Sequence, residues 1–459
     1  MCDKPNIIIF STDDLGYGDL SCLGSEYIKT PNIDSLGSEG IQFNNWYSNS
    51  PVCSPSRASL LTGKYPSNTG VRSILRGHRT SPGLPSTNLT IASILKDMGY
   101  DTYMTGKWHL GVSEESRPHN QGFDNWFGHL AGCIDYYSHI WYYASGRNAN
   151  NQRLNPVHDL WENNVEVWKN GEYFTELITK KSMEYLHSSI QKSNPFFLYV
   201  PYNAPHYPMH APQKYVDRYP DLPWDKQIMA AMISAVVPPS IVTSASSVGE
   251  IITFLKKNNL FENTIIMFTS DNGPSRETRN WLDGTLDPYY GGTSGQLKGH
   301  KFSLFDGGIK VPNIISFPNK ISGNWVSNES CIAMDFLPTI LDFLNVDLNL
   351  FELDGISIKS HLENKTPVLN RSLYWEQDSF QSSPSNQTAI LKDNWKLVLN
   401  GRLVEFEEPI ADIYLSNLAS DVSESNNLKD EYPEIVTDLK NEALNWRKEI
   451  ETKPRFDGR

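Results

Sequence analysis

Two apolar runs that each end in oxygen-bearing side chains constrain this 459-residue chain more than any other feature. The first run, residues 6–11, leads into an Asp-Asp pair, and the second, residues 264–269, leads into Asp-Asn. Continuous apolar runs of this length predict central strands covered on both faces, as in a parallel sheet. If the two strands are neighbours, their carboxyl ends meet at one edge of the sheet, where open α/β folds place their sites.

The four side chains that would meet there are Asp13, Asp14, Asp271 and Asn272. Adjacent carboxylates beyond a buried strand are costly unless a cation lies between them. Three carboxylates and one amide oxygen suit Ca²⁺ better than Zn²⁺, which favours His and Cys. For the first pair alone, a loop that caps a helix is the alternative. The convergence of both pairs predicts a calcium site.

Residues 53–63, Cys-Ser-Pro-Ser-Arg-Ala-Ser-Leu-Leu-Thr-Gly, predict a helix with Cys53 at its N-terminus. Pro55 suits the first position of a helix, and Gly63 suits its end. Unpaired N–H groups and the helix dipole favour an anion at such a terminus, and Arg57 lies one turn further on. The segment predicts an anion site. From these residues alone, a free thiol beside an ordinary arginine is the alternative.

Basic side chains follow two further predicted strands. Lys107 and His109 follow one of them, and they alternate as in an extended segment, which would place both on one side. His206 follows the other strand and is held between two prolines in a stiff loop. The alternatives are a solvated Lys and His on a surface loop and a structural role for His206, with His210 as a competitor nearby.

These blocks together resemble the type I, formylglycine-dependent sulfatases, most closely the N-acetylgalactosamine-4-sulfatase-like branch. The matching blocks lie in order at residues 53–66, 106–111, 122–128, 135–139 and 296–312. The resemblance implies an α/β fold: an alkaline-phosphatase-like sandwich with a large mixed, mostly parallel central sheet flanked by helices, plus a small C-terminal antiparallel sheet. We accordingly expect a catalytic domain at residues 1–345 and a smaller sheet-plus-helix subdomain at residues 346–459.

The resemblance also implies a modified cysteine. A formylglycine-generating or sulfatase-maturing enzyme would oxidise Cys53 to an aldehyde, whose hydrate would help to bind Ca²⁺. Arg57 and the metal would favour the deprotonated diol oxygen, which attacks sulfur. The metal ligands implied are Asp13, Asp14, Asp271, Asn272 and modified Cys53.

The remaining site residues are also assigned through the resemblance. Lys107 and Lys301 would bind the sulfate oxygens and offset charge in the transition state, and Ser138 would add a hydrogen bond. His206 would protonate the leaving oxygen. His109 would take the proton from the second diol hydroxyl, so that sulfate leaves and the aldehyde returns.

The expected reaction is hydrolysis of a sulfate monoester on a carbohydrate or an aryl group. A phosphonate or phosphate monoester hydrolase of the same superfamily is the nearest alternative, and Asn272 favours sulfate because phosphatase-like relatives tend to place His there. A non-catalytic binder of sulfated glycans is an alternative of another class. Two adjacent prolines, Pro238 and Pro239, interrupt what should be one helix in this family and predict an insertion that breaks it.

Composition excludes other classes. The net charge of −13 argues against broad binding to nucleic acid, and no apolar run approaches the ~20 residues of a membrane span. The first strand begins so early that we expect no signal peptide, which leaves a cytoplasmic protein, or a periplasmic or secreted one whose signal has been removed. We expect residues 140–172 and 275–295 to form loops that set specificity.

Overall fold

The computed structural model describes residues 4–142, 156–192, 194–237, 247–276, 291–378, 386–405 and 407–456. The predicted break at Pro238 and Pro239 lies outside the described residues, as do parts of both predicted specificity loops.

A large mixed sheet of ten strands forms the centre of the described structure. In spatial order its strands are β13 (Trp325–Ser327), β2 (Ile41–Phe43), β12 (Asn313–Ser316), β11 (Thr264–Ser270), β1 (Asn6–Thr12), β10 (Phe196–Pro201), β4 (Asp101–Lys107), β5 (Asn125–His129), β8 (Trp161–Glu162) and β9 (Val165–Glu166). The five strands from β11 to β5 run parallel to one another. Strand β12 runs antiparallel to both its neighbours, β11 and β2, and β13 runs parallel to β2. At the other end, β8 runs antiparallel to β5, and β9 runs antiparallel to β8. The predicted α/β architecture, a large mixed and mostly parallel sheet flanked by helices, is confirmed.

The two apolar runs are neighbours, as the sequence predicts. Strand β1 pairs with β11 in parallel from Asn6 opposite Thr264 to Thr12 opposite Ser270. Every residue of both strands is buried, because helices cover both faces of the sheet. The register brings the side chains after Thr12 and Ser270 to the same edge.

Helices and short strands complete the larger part of the chain. The helices are α1 (Pro31–Ser38), α2 (Cys53–Thr62), α3 (Pro66–Thr69), α4 (Ile91–Asp97), α5 (Phe174–Lys192), α6 (Gln213–Val216), α7 (Trp224–Val236), α8 (Ser247–Lys257), α9 (Asp306–Ile309), α10 (Phe336–Phe343) and α11 (Lys359–Asn364). The pairs β3 (Trp46–Tyr47) with β14 (Cys331–Ile332) and β6 (Ile140–Trp141) with β7 (Val157–His158) lie outside the main sheet.

Alternate residues of β1 point into two separate cores. Ile8 and Phe10 join one apolar cluster, and Ile7 and Ile9 join the other. This alternation is the two-residue period of a strand, here with apolar side chains on both faces. The central strand is therefore fixed from both sides, which holds its carboxyl end rigidly in place.

A four-stranded antiparallel sheet with one long helix lies within the predicted C-terminal subdomain. Its elements are β15 (Leu373–Gln377), β16 (Gln387–Lys392), β17 (Trp395–Gly401), β18 (Ala411–Asn417) and α12 (Pro433–Glu451). Trp375 of this sheet packs in one apolar cluster with Phe305 and Met334 of the larger part. Its indole N–H also donates to the carbonyl of Ser48 at 2.7 Å. The small sheet is thus packed directly against the segments that surround the main sheet edge.

The predicted loop at residues 140–172 is partly wrong. Within its described residues, β6, β7, β8 and β9 are strands, and β8 and β9 extend the main sheet beyond β5. Strands of two residues carry no readable period, so the sequence pattern could not indicate them. Among the helices of the described ranges, none combines the length and the hydrophobicity that a membrane crossing requires.

Arg72 makes a buried link to the C-terminal sheet. Its Nε donates to Glu376 Oε1 at 2.7 Å, its Nη2 contacts Glu376 Oε2, and its Nη1 donates to the carbonyl of Ile450 at 3.0 Å. Arg447 also donates to Glu376, at 2.7 Å. The guanidinium therefore compensates a carboxylate that is almost fully removed from water.

We expect Arg72→Ala to lower the free energy of unfolding by about 3 kcal/mol, because it leaves a buried carboxylate with only part of its compensation. Denaturant titration would measure the loss. Lys64→Ala is the matched control, since Lys64 pairs at 3.4 Å with Glu352, whose side chain is 95% exposed, and should cost less than about 1 kcal/mol. Equal losses in the two variants would contradict this account.

Candidate active site

The acidic residues after β1 and β11 meet at the carboxyl edge of the main sheet. The backbone N–H of Asp14 donates to Asp271 Oδ1 at 3.2 Å, and the N–H of Asp271 donates to the carbonyl of Thr12 at 3.1 Å. Asp14 has a left-handed backbone with φ of 63°, which Asp tolerates better than most residues. Asn272 donates from Nδ2 to Asp14 Oδ1 at 2.7 Å. The structure therefore brings all four predicted ligands together.

Cys53 begins α2, which is buried along its whole length and directed at this cluster. The sequence analysis expected Pro55 at the first position of the helix. The helix instead starts at Cys53, so Pro55 occupies its third position. The change costs no hydrogen bond, because the first N–H groups of a helix have no partner within it. Gly63 ends the helix with φ of 67°, in the predicted manner.

Arg57 connects the helix to the acidic cluster. Its Nε and Nη2 donate to Asp271 Oδ2 at 2.9 and 2.7 Å, and its Nη2 lies 3.6 Å from Asp13 Oδ1. The guanidinium also donates to the backbone carbonyl of Lys107 at 3.1 Å. These contacts fix Arg57 against the carboxylates one helical turn from Cys53.

Lys107, Lys301 and His206 surround the two acidic residues after β1. Lys107 Nζ donates to Asp13 Oδ2 at 2.6 Å, and Lys301 Nζ donates to Asp14 Oδ2 at 2.8 Å. His206 Nε2 lies 3.6 Å from Asp14 Oδ2, while its Nδ1 lies 2.7 Å from the carbonyl of its neighbour in the chain. Both lysines and the histidine are buried.

His109 reaches the same region by a different backbone path from the predicted one. Its φ of 53° is left-handed, so His109 itself is not extended as predicted, although its imidazole lies close enough to Lys107 to be affected by that charge. Its Nε2 lies 3.1 Å from the carbonyl of Leu75. A Cβ at Gly132 would lie 2.8 Å from the imidazole, so glycine is required for this close packing. Burial, followed by the charges of Lys107 and Arg57, holds the pKa of His109 well below its usual value.

Ser138 and His210 belong to a separate cluster around Asp135. The Ser138 hydroxyl donates to Asp135 Oδ1 at 2.9 Å, and His210 Nδ1 lies 3.1 Å from Asp135 Oδ2. Of the two candidate histidines, His206 is therefore the one beside Asp14. The role of Ser138 in binding sulfate stays a prediction.

The two carboxyl groups after β1 have pKa values shifted in opposite directions. Burial raises the pKa of Asp13 to about 8; Lys107 opposes this shift and Asp271 adds to it. For Asp14 burial acts in the same direction, but Lys301, His206 and Lys107 outweigh it and lower the pKa to about 2. Of the two, Asp13 is thus the carboxylate whose charge the protein compensates less.

The side-chain atoms of the cluster are suited to binding a hard cation. Ligand atoms of Asp13, Cys53 and Asp271 lie within 4.8 Å of one another, and so do those of Asp13, Asp14 and His206. Within the described residues, Asp13 Oδ1 and Asn272 Oδ1 are fully buried oxygens without a hydrogen-bond donor. Buried oxygens of this kind need a positive partner, which a divalent cation would supply.

Three residues near the site were missed by the sequence analysis. His129 ends β5 opposite Lys107, and burial, with Lys107 and Arg57, holds its pKa well below the usual value. Cys133 is buried in the loop that follows, and burial raises the pKa of its thiol. The Tyr136 hydroxyl lies 2.8 Å from the carbonyl of His206. The signal that could have found His129 is its place at a strand end on the same edge.

Comparisons with known proteins decide the family. The family described as Sulfatase matches residues 5–346. The chain belongs to the sulfatase family. The family described as N-sulphoglucosamine sulphohydrolase, C-terminal, matches residues 299–449. The protein is therefore a sulfuric ester hydrolase, and the predicted membership of the sulfatase family is confirmed.

Individual relatives agree with this assignment. Arylsulfatase J of Mus musculus is 30% identical over 478 residues, covering 95% of this chain and 74% of the relative. N-acetylgalactosamine-6-sulfatase of Mus musculus is 30% identical over 352 residues, covering 73% of this chain and 62% of the relative. The solved structure of Ps i-CgsB has a TM-score of 0.81 and 29% identity, over 97% of this chain and 93% of that chain.

A phosphonate monoester hydrolase of Agrobacterium radiobacter shares the fold, with a TM-score of 0.65 and 19% identity over 97% of this chain and 96% of that chain. At this identity the likeness concerns architecture alone. It shows that one scaffold carries both sulfate and phosphonate chemistry, so the residues of the site must decide between them.

Proposed function

We propose that this sulfatase hydrolyses a sulfate monoester on a carbohydrate, with formylglycine derived from Cys53 as the nucleophile and Ca²⁺ as the metal. The observation that carries the proposal is the position of the Cys53 sulfur, within 4.8 Å of ligand oxygens of Asp13 and Asp271 at the head of a buried helix. Two similar proteins support a carbohydrate: N-acetylgalactosamine-6-sulfatase, and Ps i-CgsB, whose structure is solved in complex with k-i-k-neocarrahexaose.

The oxygen-bearing side chains at the sheet edge would hold the metal. These are Asp13, Asp14, Asp271 and Asn272, and the modified Cys53 completes the predicted set. A bound divalent cation supplies stabilisation of negative charge on oxygen, which lowers the cost of forming an anionic nucleophile. A maturing enzyme would be required to produce formylglycine, and we therefore propose it as a partner.

Three cations of the chain would bind the charged part of the substrate. Arg57 is held by Asp271 and so stays beside the head of α2, where it favours an anionic oxygen on residue 53. We assign Lys107 and Lys301 to the sulfate oxygens, because their ammonium groups are the ones in contact with Asp13 and Asp14. Fixed positive charges in a buried site offset the charge that builds up in the transition state.

The two histidines differ in the ring nitrogen that each presents. Neutral His109 donates from Nε2 to the carbonyl of Leu75, which leaves Nδ1 as an acceptor, and its low pKa keeps it neutral. It is therefore suited to accept the proton whose removal expels sulfate. His206 donates from Nδ1 to a backbone carbonyl, so the acceptor nitrogen Nε2 faces Asp14. Burial, followed by the charge of Lys301, holds the pKa of His206 well below its usual value. To act as the acid, Nε2 would first have to take up a proton, which Asp14 and an anionic substrate favour, and would then give it to the leaving oxygen.

The first test compares aryl sulfate with the matching aryl phosphate on the same preparation. We expect kcat/KM for the sulfate to exceed that for the phosphate by at least about a hundredfold, equivalent to about 3 kcal/mol of transition-state selectivity. The peptide that contains Cys53 should show in its mass the change from CH₂–SH to CHO. Preference for the phosphate, or an active preparation in which Cys53 is entirely unmodified, would overturn the proposal.

A further inference from the structure

A cavity of about 610 Å³ lies between the main sheet and the C-terminal sheet, apart from the acidic cluster. One wall comes from the segment after β1, including Tyr17, and from the ends of β2 and β13, including Asn44 and Asn328. The opposite wall comes from the turn between β16 and β17, including Asn394, and from the segment after β18. None of the residues assigned above to the reaction lines this cavity.

The cavity opens at the same edge of the sheet as the acidic cluster. Strand β12 is antiparallel to β11, and β2 is antiparallel to β12, so β2 and β11 end at the same edge. Strand β13 is parallel to β2, with Ser327 opposite Phe43, and ends there too. Neighbouring strands are spaced by about 4.8 Å, which places the end of β2 about 10 Å along the edge from β11 and about 15 Å from β1.

The wall is rich in primary amides. Amide side chains that line the cavity are Gln42, Asn44, Asn45, Gln296, Asn328 and Asn394. Within the described part of the chain, the side-chain amides of Gln42, Gln296 and Asn394 make no hydrogen bond, whereas Asn44 donates to Asn328 at 2.9 Å. A primary amide offers two donors and an acceptor, which matches the hydroxyl groups of a sugar.

The floor of the cavity carries an aromatic surface and a compensated charge. Lys310 is 3% exposed, and its Nζ lies 5.8 Å from the centre of the Tyr17 ring and 5.9 Å from that of Tyr47. The same Nζ lies 3.6 Å from Asp306 Oδ2, so its charge is already balanced inside the protein. Half-buried Tyr17 adds an apolar ring to the amide-rich wall. One carboxylate, Asp393, also lines the cavity, and it accepts a hydrogen bond from Asn370 at 2.5 Å. This chemistry suits an uncharged pyranose better than an anion.

We propose that this cavity binds a neutral sugar residue of the glycan whose sulfate ester occupies the acidic cluster, so that the enzyme acts on an oligosaccharide. The inference rests on the proposed carbohydrate function and adds a binding site to it. The distance along the sheet edge means that a monosaccharide sulfate or an aryl sulfate would reach only the acidic cluster, whereas a longer chain would contact both places.

The test uses the doubly substituted variant Gln42→Ala/Asn394→Ala and the control Gln191→Ala, an exposed glutamine in the last turn of α5. Saturation-transfer NMR would measure binding of neutral hexasaccharides of galactose, glucose and mannose to each protein. We expect at least one of them to bind the wild type and the control, with affinity about tenfold weaker in the double variant, as two lost hydrogen bonds imply. Equal binding by all three proteins, or no binding by the wild type, would overturn the inference.

Kinetics separate this inference from the proposed function. The double variant should turn over aryl sulfate within about twofold of the wild type, while its KM for a sulfated hexasaccharide substrate rises about tenfold. Normal kinetics of the double variant on both substrates would leave the sulfatase proposal standing and reject the cavity as a glycan site. Loss of hexasaccharide binding in a protein that hydrolyses no sulfate ester would reject the proposed function and support the cavity.

Discussion

Cys53→Ala is expected to lower turnover of aryl sulfate by at least about a thousandfold, because removal of a nucleophile that starts a covalent reaction leaves only binding and charge stabilisation. The variant should fold normally. Cys53 is the first residue of α2, its side chain is small, and alanine favours the helix. Steady-state kinetics and thermal unfolding of the purified variant would measure both properties.

Cys22→Ala is the matched control, since it removes a half-buried thiol away from the acidic cluster and should leave aryl sulfate turnover unchanged. Cys53→Ser is a second informative variant. A serine in this position can be sulfated but lacks the second hydroxyl through which sulfate would be expelled, so any early turnover should stop after about one equivalent. Sustained turnover by either variant at position 53 would show that another group is the nucleophile.

The meeting of the two acidic strand ends could be predicted because both strands are recognisable in the sequence. Each is a continuous apolar run of the kind that only a doubly covered strand requires, and each is followed directly by polar side chains. The pairing of Thr12 with Ser270 follows once the strands are neighbours. The pattern of a single strand does not identify its partner. The expectation that these two strands are neighbours came from the assumption of a parallel sheet and from the resemblance to sulfatases.

Other features of the site could not be predicted because they depend on local backbone turns. The left-handed residue His109 brings its imidazole to Leu75 through a turn for which the sequence gives no signal, since histidine is not a residue reserved for such conformations. The start of α2 at Cys53 was displaced from the expected position because proline is tolerated anywhere among the first unbonded N–H groups. The amide-lined cavity joins segments from both ends of the chain, and no single motif contains it.

Removal of Ca²⁺ is expected to destabilise the wild type and to leave Asp13→Asn unaffected. A ligand present at a hundred times its Kd stabilises the folded state by about 2.7 kcal/mol, and thermal unfolding with a chelator and with added Ca²⁺ would reveal the shift. Asp13→Asn removes one charged oxygen of the cluster and should abolish this response and lower aryl sulfate turnover by at least about a hundredfold. Asp97→Asn, at an exposed helical carboxylate, should respond to Ca²⁺ as the wild type does.

Without metal, we expect Asp13→Asn to have the opposite effect on stability, so that the variant is no less stable than the wild type. In the folded state without metal, the pKa of Asp13 is raised to about 8, above its ordinary value of 3.8. The folded protein then binds more protons than the unfolded chain between these values, so its stability falls as pH rises through this interval. Asparagine carries no such charge, and metal-free Asp13→Asn should therefore be at least as stable as the metal-free wild type at pH 8. A variant that is less stable without metal and still stabilised by Ca²⁺ would show that Asp13 acts through packing and not as a metal ligand.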